Sequence, residues 1–161
     1  MGLINNSNIL NQDIVLNKYM PENFDYMYDK LVFESGVNSR NDFGKWFENK
    51  LKYDFHDFYI IKFENQIIGS IYSYEFKLSD RHCKMKVLLD ISDDKLVKNI
   101  IILFVELLFR EYPLRKIFVE EYQKELIELY KNAGFQCEMI LDKYIYCEGR
   151  YNDLTFLSIE R

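Results

Sequence analysis

The chain has 161 residues, enough for one compact domain with its own core. Hydrophobic residues make up 48% and aromatic residues 17%, which excludes a disordered chain, and 6 Gly and 2 Pro leave little room for linkers. A net charge of −5 argues against duplex nucleic acid as a partner, because that needs a clustered basic face, and here Lys84, Lys86, Arg115 and Lys116 stand among acids.

Residues 1–11 are polar and read as a flexible tail, leaving 12–161 as a single domain. The start, MGLINNSNIL, has no charged region leading into a long apolar run, so no signal peptide is expected. Gly2 resembles a myristoylation start, but Ser7 stands one place late for that pattern. DIVLNKY, 13–19, alternates as a first strand. Pro21 suits a first helical position, and Phe24, Tyr28, Leu31 and Val32 continue a helix to about 34, ended by Gly36. A second helix begins near Ser39 or Asn41 and carries Phe43, Trp46, Phe47 and Leu51 on one face. Tyr26, Tyr28, Phe43 and Trp46 either belong to the core or line an acceptor site.

FYIIKF, 58–63, and QIIGSIYSYEF, 66–76, are rich in β-branched and aromatic residues and flank a Glu64-Asn65 turn, the pattern of an antiparallel hairpin. HCKMKVLLDI, 82–91, follows as a third strand. Residues 93–111 form a helix that is apolar nearly all round between 100 and 105, as a buried, sheet-covering helix is. Ser92 is its expected N-cap, with Asp93 and Asp94 in the first turn favouring the helix dipole, and Pro113 closes it. Residues 115–121 read as a strand and 124–133 as an amphipathic helix ended by Gly134. FQCEMILDKYIYCEG and YNDLTFLSIE form a closing hairpin around Gly149-Arg150. The order β-α-α-β-β-β-α-β-α-β-β implies an α/β (α+β) fold, a single mixed, mostly antiparallel sheet flanked by helices.

Cys83, Cys137 and Cys147 lack CxxC spacing, and neither His56 nor His82 completes a metal-ligand pattern with them. They read as buried free thiols in a reducing cytoplasm, with no metal. The most apolar stretch, 100–109, is far below the roughly 20 residues of a membrane span.

Gln123-Lys124-Glu125-Leu126-Ile127-Glu128-Leu129-Tyr130-Lys131-Asn132-Ala133-Gly134-Phe135 is similar to a segment of the GNAT acyltransferase superfamily: Asn, a small residue, then Leu-Tyr, ending three residues later at Gly-Phe. With the element order, the IIGSI strand and the closing YNDLTFLSIE segment, residues 12–161 resemble the branch of ribosomal-protein N-terminal acetyltransferases and their relatives. The resemblance implies an acetyl-CoA-dependent N-acetyltransferase acting directly on a primary amine, either a small molecule or a peptide terminus. CoA would enter where the parallel strands 82–91 and 115–121 splay apart. It would lie along Leu88 and Leu89 and place its pyrophosphate on the loop Asp90, Asp93, Asp94, Lys95 and Leu96. In the same resemblance Tyr130 matches the acid that protonates the departing thiolate, and Gln123 stands where the family has an asparagine near the cofactor. His82 stands near the place of a basic glutamate at the start of the strand, and Glu120 is a second candidate base. A homodimer through exposed aromatics or the last strand is compatible with the sequence.

The phosphate loop departs from the family. Its pattern of Arg or Gln, two residues, Gly, any residue, Gly or Ala falls on Asp90, Asp93 and Lys95. Neither glycine is present and the first position is acidic. Cβ atoms then stand where main chain must approach phosphate. Carboxylates repel that phosphate and compete for the helix N–H groups. Lys95 and Lys98 offset part of the repulsion. Two readings therefore remain open, an active N-acetyltransferase and a GNAT-fold protein that has lost acyl-CoA chemistry and serves as a binding, regulatory or dimerisation module.

Overall fold

The structure, a computed structural model, describes residues 13–161; the expected tail of residues 1–11 and the myristoylation pattern lie outside the described residues. Seven strands and four α-helices follow the expected order. The strands run β1 (Ile14–Lys18), β2 (Phe55–Phe63), β3 (Gln66–Lys77), β4 (His82–Leu89), β5 (Lys116–Glu121), β6 (Gln136–Cys147) and β7 (Arg150–Glu160). The helices are α1 (Phe24–Ser35), α2 (Arg40–Tyr53), α3 (Asp94–Glu111) and α4 (Lys124–Asn132), with a 3-10 turn at Pro21–Asn23. The sheet order is β1-β2-β3-β4-β5-β7-β6, a mixed sheet in which β4 and β5 are parallel.

The chain forms two compact units. One contains the described residues up to Tyr72 together with Leu88–Asp90; the other contains Ser73–Val87 and Ile91–Arg161.

In the first unit β1 pairs antiparallel with β2, from Ile14↔Phe63 to Lys18↔Tyr59. Glu64 and Asn65 both take positive φ, 48° and 65°, as a two-residue turn needs to match strand twist. Gly36 ends α1 at φ 67°, and Ser39 caps α2 by accepting from Asp42 N–H at 3.1 Å. Phe43 is fully buried; it stacks on Phe47 at 5.6 Å and meets Tyr28 edge-on at 5.1 Å. Phe47 in turn meets Phe58, which stacks on Tyr72 at 5.0 Å. The aromatic spacing of α1 and α2 is thus core packing around Phe43, with Tyr26, Tyr28 and Trp46 half-buried. Gly69 on β3 is required by close approach. A Cβ there would collide with the Leu88 carbonyl oxygen and lie 2.6 Å from Leu89 Cδ2.

In the second unit α3 buries Val97, Ile100, Ile101, Phe104, Val105, Leu107 and Leu108, as its nearly continuous apolar surface requires. Its N-cap is Asp93 rather than the expected Ser92. The Asp93 carboxylate accepts from Leu96 N–H at 2.9 Å, so the acid nearer the helix takes the cap. β7 lies between β5 and β6, pairing antiparallel with both. The closing turn is Glu148-Gly149, both at positive φ, one residue earlier than expected.

β6 is consequently an edge strand, which corrects the reading of three buried thiols. Cys83 is buried, but Cys137 is exposed and Cys147 half-buried, both on β6. Among the described residues no group of three or more His, Cys, Asp or Glu is placed to hold a metal ion, and no helix is long and apolar enough to cross a membrane.

Candidate active site at the diverging parallel strands

The parallel ladder of β4 and β5 is short. It joins His82↔Lys116, Cys83↔Ile117 and Lys84↔Phe118, after which β4 runs on to Leu89 and β5 to Glu121. Strands that stop pairing while both continue leave main-chain donors and acceptors along the divergence, and such groups need a partner. Alternation sorts the side chains onto two faces. Cys83, Met85 and Val87 on β4 and Ile117, Val119 and Glu121 on β5 are buried. His82, Lys84, Lys86, Lys116, Phe118 and Glu120 are half-buried on the other face.

On that second face Lys84 forms an ion pair with Glu120 and another with Glu75 of β3 at 3.0 Å, and stands 5.9 Å from the Tyr74 ring centroid. Burial works to lower the Lys84 pKa, but its hydrogen bonds to Glu120 and Glu75 outweigh that and raise it, so the ammonium is held charged. Lys84 faces Phe118 in register, so it reaches Glu120 diagonally, beyond the last paired position.

On the buried face Glu121, only 7% exposed, is a buried carboxylate that the sequence reading passed over. One carboxylate oxygen accepts from Tyr122 N–H and Gln123 N–H, each at 2.9 Å, directly before α4. Burial pushes its pKa up, against the lowering effect of those two N–H groups and of the Lys86 charge. The signal was available: in KIFVEE the alternation that buries Ile117 and Val119 carries Glu121 onto the same apolar face.

The expected catalytic residues fall at different places. Tyr130 is on α4, 1% exposed, with its ring edge-on to Phe135 at 5.2 Å. His82 is at the closed, paired end of the divergence, opposite Lys116, with its imidazole perpendicular to Phe118 at 5.6 Å. Glu120 lies beyond the last paired residue and is engaged by Lys84. Gln123 is the N-cap residue of α4 with an exposed side chain, its N–H taken by Glu121.

The expected phosphate loop is likewise resolved residue by residue. Leu88 and Leu89 end β4 beside Gly69. Asp90 donates its N–H to the Ile68 carbonyl at 2.9 Å, while its carboxylate accepts from Tyr26 Oη at 2.7 Å and pairs with Lys30 Nζ. Asp94, Lys95 and Leu96 form the first turn of α3, Asp94 and Lys95 exposed, and Asp93 occupies the Leu96 N–H.

CoA presents a pantetheine arm that needs main-chain partners and a pyrophosphate that needs N–H groups and cations. The diverging part of β4 fits the first requirement. For the second, the Lys95 side chain and the N–H groups of Asp94 and Lys95 are the groups that fit, since Leu96 N–H is taken by the Asp93 carboxylate and Val97 N–H by the Asp93 carbonyl, and the Asp93 charge works against them.

The spermidine N-acetyltransferase of Vibrio cholerae in complex with CoA and spermine has a similar fold, with a TM-score of 0.81 at 15% identity over 93% of this chain and 96% of that one. A chimera of the Vibrio cholerae spermidine N-acetyltransferase aligns with a TM-score of 0.80 at 15% identity over 92% and 96%. A protein described as a probable acetyltransferase aligns with a TM-score of 0.75 at 11% identity over 94% of each chain. At these identities the likeness is one of fold. No curated protein matches the sequence. The sequence model of the acetyltransferase (GNAT) domain matches residues 8–156, nearly the whole chain. The chain therefore belongs to the GNAT acetyltransferase domain family.

Proposed function

We propose that the protein is an acetyl-CoA-dependent N-acetyltransferase that acts on a primary amine by direct transfer. The observation that carries this reading is the early end of the β4–β5 ladder at Lys84↔Phe118, within a GNAT domain. CoA supplies the acetyl thioester. Residues 85–89 of β4 offer main chain to its pantetheine arm, and Lys95 with the start of α3 meets the pyrophosphate. The amine nitrogen forms a C–N bond to the acetyl carbon as the C–S bond breaks. Tyr130 would give its phenolic proton to the departing thiolate and recover one from the second N–H proton that the acetylated nitrogen sheds. The ammonium proton leaves through a base, for which we favour Glu120, beyond the last paired position, over His82 at the closed end.

For the acceptor we favour a small polyamine, because the neighbour solved with CoA and spermine is a spermidine N-acetyltransferase. The likeness of the closing segment to ribosomal-protein N-terminal acetyltransferases keeps a peptide terminus as the competing acceptor. A single domain over 12–161 belongs to this reading, since β3 and β4 contribute residues to both compact units. So do a cytoplasmic setting and a homodimer through β6, whose edge exposes Met139, Ile140, Tyr144 and Tyr146.

One observation favours a protein without acyl-CoA chemistry: Asp93 has taken the Leu96 N–H that the family offers to phosphate. The two readings separate in one assay, thiol release from acetyl-CoA with spermidine or an N-terminal peptide as acceptor. Amine-dependent release supports the transferase. Release with neither acceptor above the hydrolysis background favours the binding module.

A further inference from the structure

In the first unit, α1 and α2 flank a concavity of about 620 Å³, lined by Phe24 of α1 and by Arg40, Asn41, Gly44, Lys45 and Glu48 of α2. The α2 residues form one stripe: Arg40, Gly44 and Glu48 stand four apart, with Asn41 and Lys45 in the neighbouring row. Gly44, at the middle of the stripe, contributes no side chain to it. A glycine inside a helix costs stability relative to alanine, and here neither backbone nor packing asks for one. Gly44 is not among the glycines of positive φ. A Cβ there would meet only the Phe24 ring, at 3.7 Å, an ordinary contact. What the glycine does is leave the Cε2–Cζ edge of Phe24 uncovered on this side.

The charges on the wall are unevenly used. The Arg40 guanidinium pairs with Asp25 and lies 5.1 and 5.5 Å from the ring centroids of Phe24 and Tyr28, so its charge is met and its place is fixed. Lys45 and Glu48 are three residues apart, close enough on a helix to pair. Yet they form no ion pair with each other or elsewhere among the described residues. An ammonium, a carboxylate, the Asn41 amide and an aromatic edge thus line one space, and their charges balance. We propose that this concavity is a binding site for a free aromatic α-amino acid. Its carboxylate meets Lys45 and Asn41, its ammonium meets Glu48, and its ring lies on Phe24 over Gly44. An aromatic acid without the ammonium would leave the Glu48 charge opposed, and an aromatic amine would leave that of Lys45; the zwitterion answers both. The volume falls within the roughly 300–1,000 Å³ of small-molecule sites. The inference does not depend on the acetyltransferase reading.

The test is titration calorimetry of L-phenylalanine into the full chain without acetyl-CoA. Three probes that each lack one group run beside it: 3-phenylpropionate, 2-phenylethylamine and L-alanine. Lys45 and Glu48 are exposed, so each ion contact contributes little, and saturable binding is expected at millimolar concentration. A probe missing one charge should bind about 3–5-fold more weakly, the upper range of one exposed ion pair. L-Alanine, which buries no ring, should bind more weakly still. Gly44→Leu fills the space and is expected to abolish binding, while its melting temperature stays level or rises because leucine is the better helix former. That combination separates a blocked site from a damaged fold. Lys45→Met should weaken L-phenylalanine and 3-phenylpropionate but not 2-phenylethylamine. Glu48→Gln should weaken L-phenylalanine and 2-phenylethylamine but not 3-phenylpropionate. No saturable heat with L-phenylalanine at millimolar concentration overturns the proposal, as does binding retained in Gly44→Leu. Either single-charge probe binding as tightly as L-phenylalanine also overturns it, since the site then does not read a zwitterion. If Gly44→Leu does not fold, Lys45→Met and Glu48→Gln, both at exposed positions, read the same site through their opposite probe preferences.

Discussion

Lys84 on β4 and Glu120 on β5 form an ion pair that reaches past the last paired residues of the parallel strands, Lys84 and Phe118. The pair stands where the strands begin to part, and Glu75 closes it from β3. Lys84→Met leaves two carboxylates, Glu75 on β3 and Glu120 on β5, on either side of β4 without their shared cation. The partly buried geometry places the cost between that of exposed and fully buried pairs, about 1–2 kcal/mol in a urea titration at pH 7. Because the folded-state pKa of Lys84 is raised, its contribution is present below the ordinary lysine value and is lost as pH rises through the folded one. The difference between the two proteins should therefore narrow only in strongly alkaline solution.

Tyr130→Phe keeps the ring that packs on Phe135 and removes only the hydroxyl. Stability is expected to change by less than about 1.5 kcal/mol, the range of one hydrogen bond. Turnover should fall by ~10²-fold or more with little change in KM for acetyl-CoA, as removal of a general acid does. An unchanged rate would remove Tyr130 from the chemistry and leave it a core residue.

Asp93 contributes to α3 as its cap, and under the proposed acetyltransferase function its charge would oppose phosphate. Asp93→Ser keeps a capping oxygen without the charge, so it should cost less than about 0.5 kcal/mol while tightening CoA several-fold. Asp93→Ala removes the cap and should cost about 1 kcal/mol in thermal unfolding. CoA affinity that does not rise in Asp93→Ser would show that the carboxylate is no obstacle.

Glu121 is a carboxylate whose pKa is raised by burial, so the folded chain holds its proton more tightly than the unfolded chain. Its contribution to stability then falls as pH rises from the ordinary glutamate value through the raised one. Glu121→Gln retains an acceptor for the Tyr122 and Gln123 N–H groups without the charge. It is expected to be at least as stable as the unaltered chain at pH 7, with the advantage vanishing toward pH 4.5. Glu121→Ala strands both N–H groups and should cost about 1–3 kcal/mol. Paired melting curves across that pH range check the sign.

Apolar periodicity made every helix and strand of the described chain legible, and the ends moved by only a few residues. They moved where a local competition decided them: Asp93 outbid Ser92 for the cap of α3, and Glu148-Gly149 supplied two positive-φ residues where Gly149-Arg150 would supply one. The site was less legible, because it depends on sheet order. The Glu75–Lys84–Glu120 cluster exists only because β4 lies between β3 and β5, and nothing in the spacing of those residues shows it. The Tyr26–Asp90 contact spans 64 residues of sequence and is equally silent. The thiols were misread because β7 enters between β5 and β6, leaving β6 at the edge. Glu121 is different, since strand alternation alone places it on the buried face.

The edge position of β6 has a chemical consequence. Cys137 is exposed, Cys147 lies 3.4 Å from the Tyr122 hydroxyl, and Cys83 is buried. Iodoacetamide applied to the native protein should modify Cys137 first and leave Cys83 untouched until the chain unfolds. Peptide mass mapping reads this directly, and native modification of Cys83 would contradict the placement of β4.

The central claim is that acetyl-CoA binds along the diverging strands in spite of the acidic loop. Calorimetric titration of acetyl-CoA into the full chain tests it most directly. Saturable heat at a stoichiometry of one per chain, with a matching rise in melting temperature, is the expected result. No heat and no thermal shift at millimolar acetyl-CoA would contradict it and leave a GNAT fold put to another use.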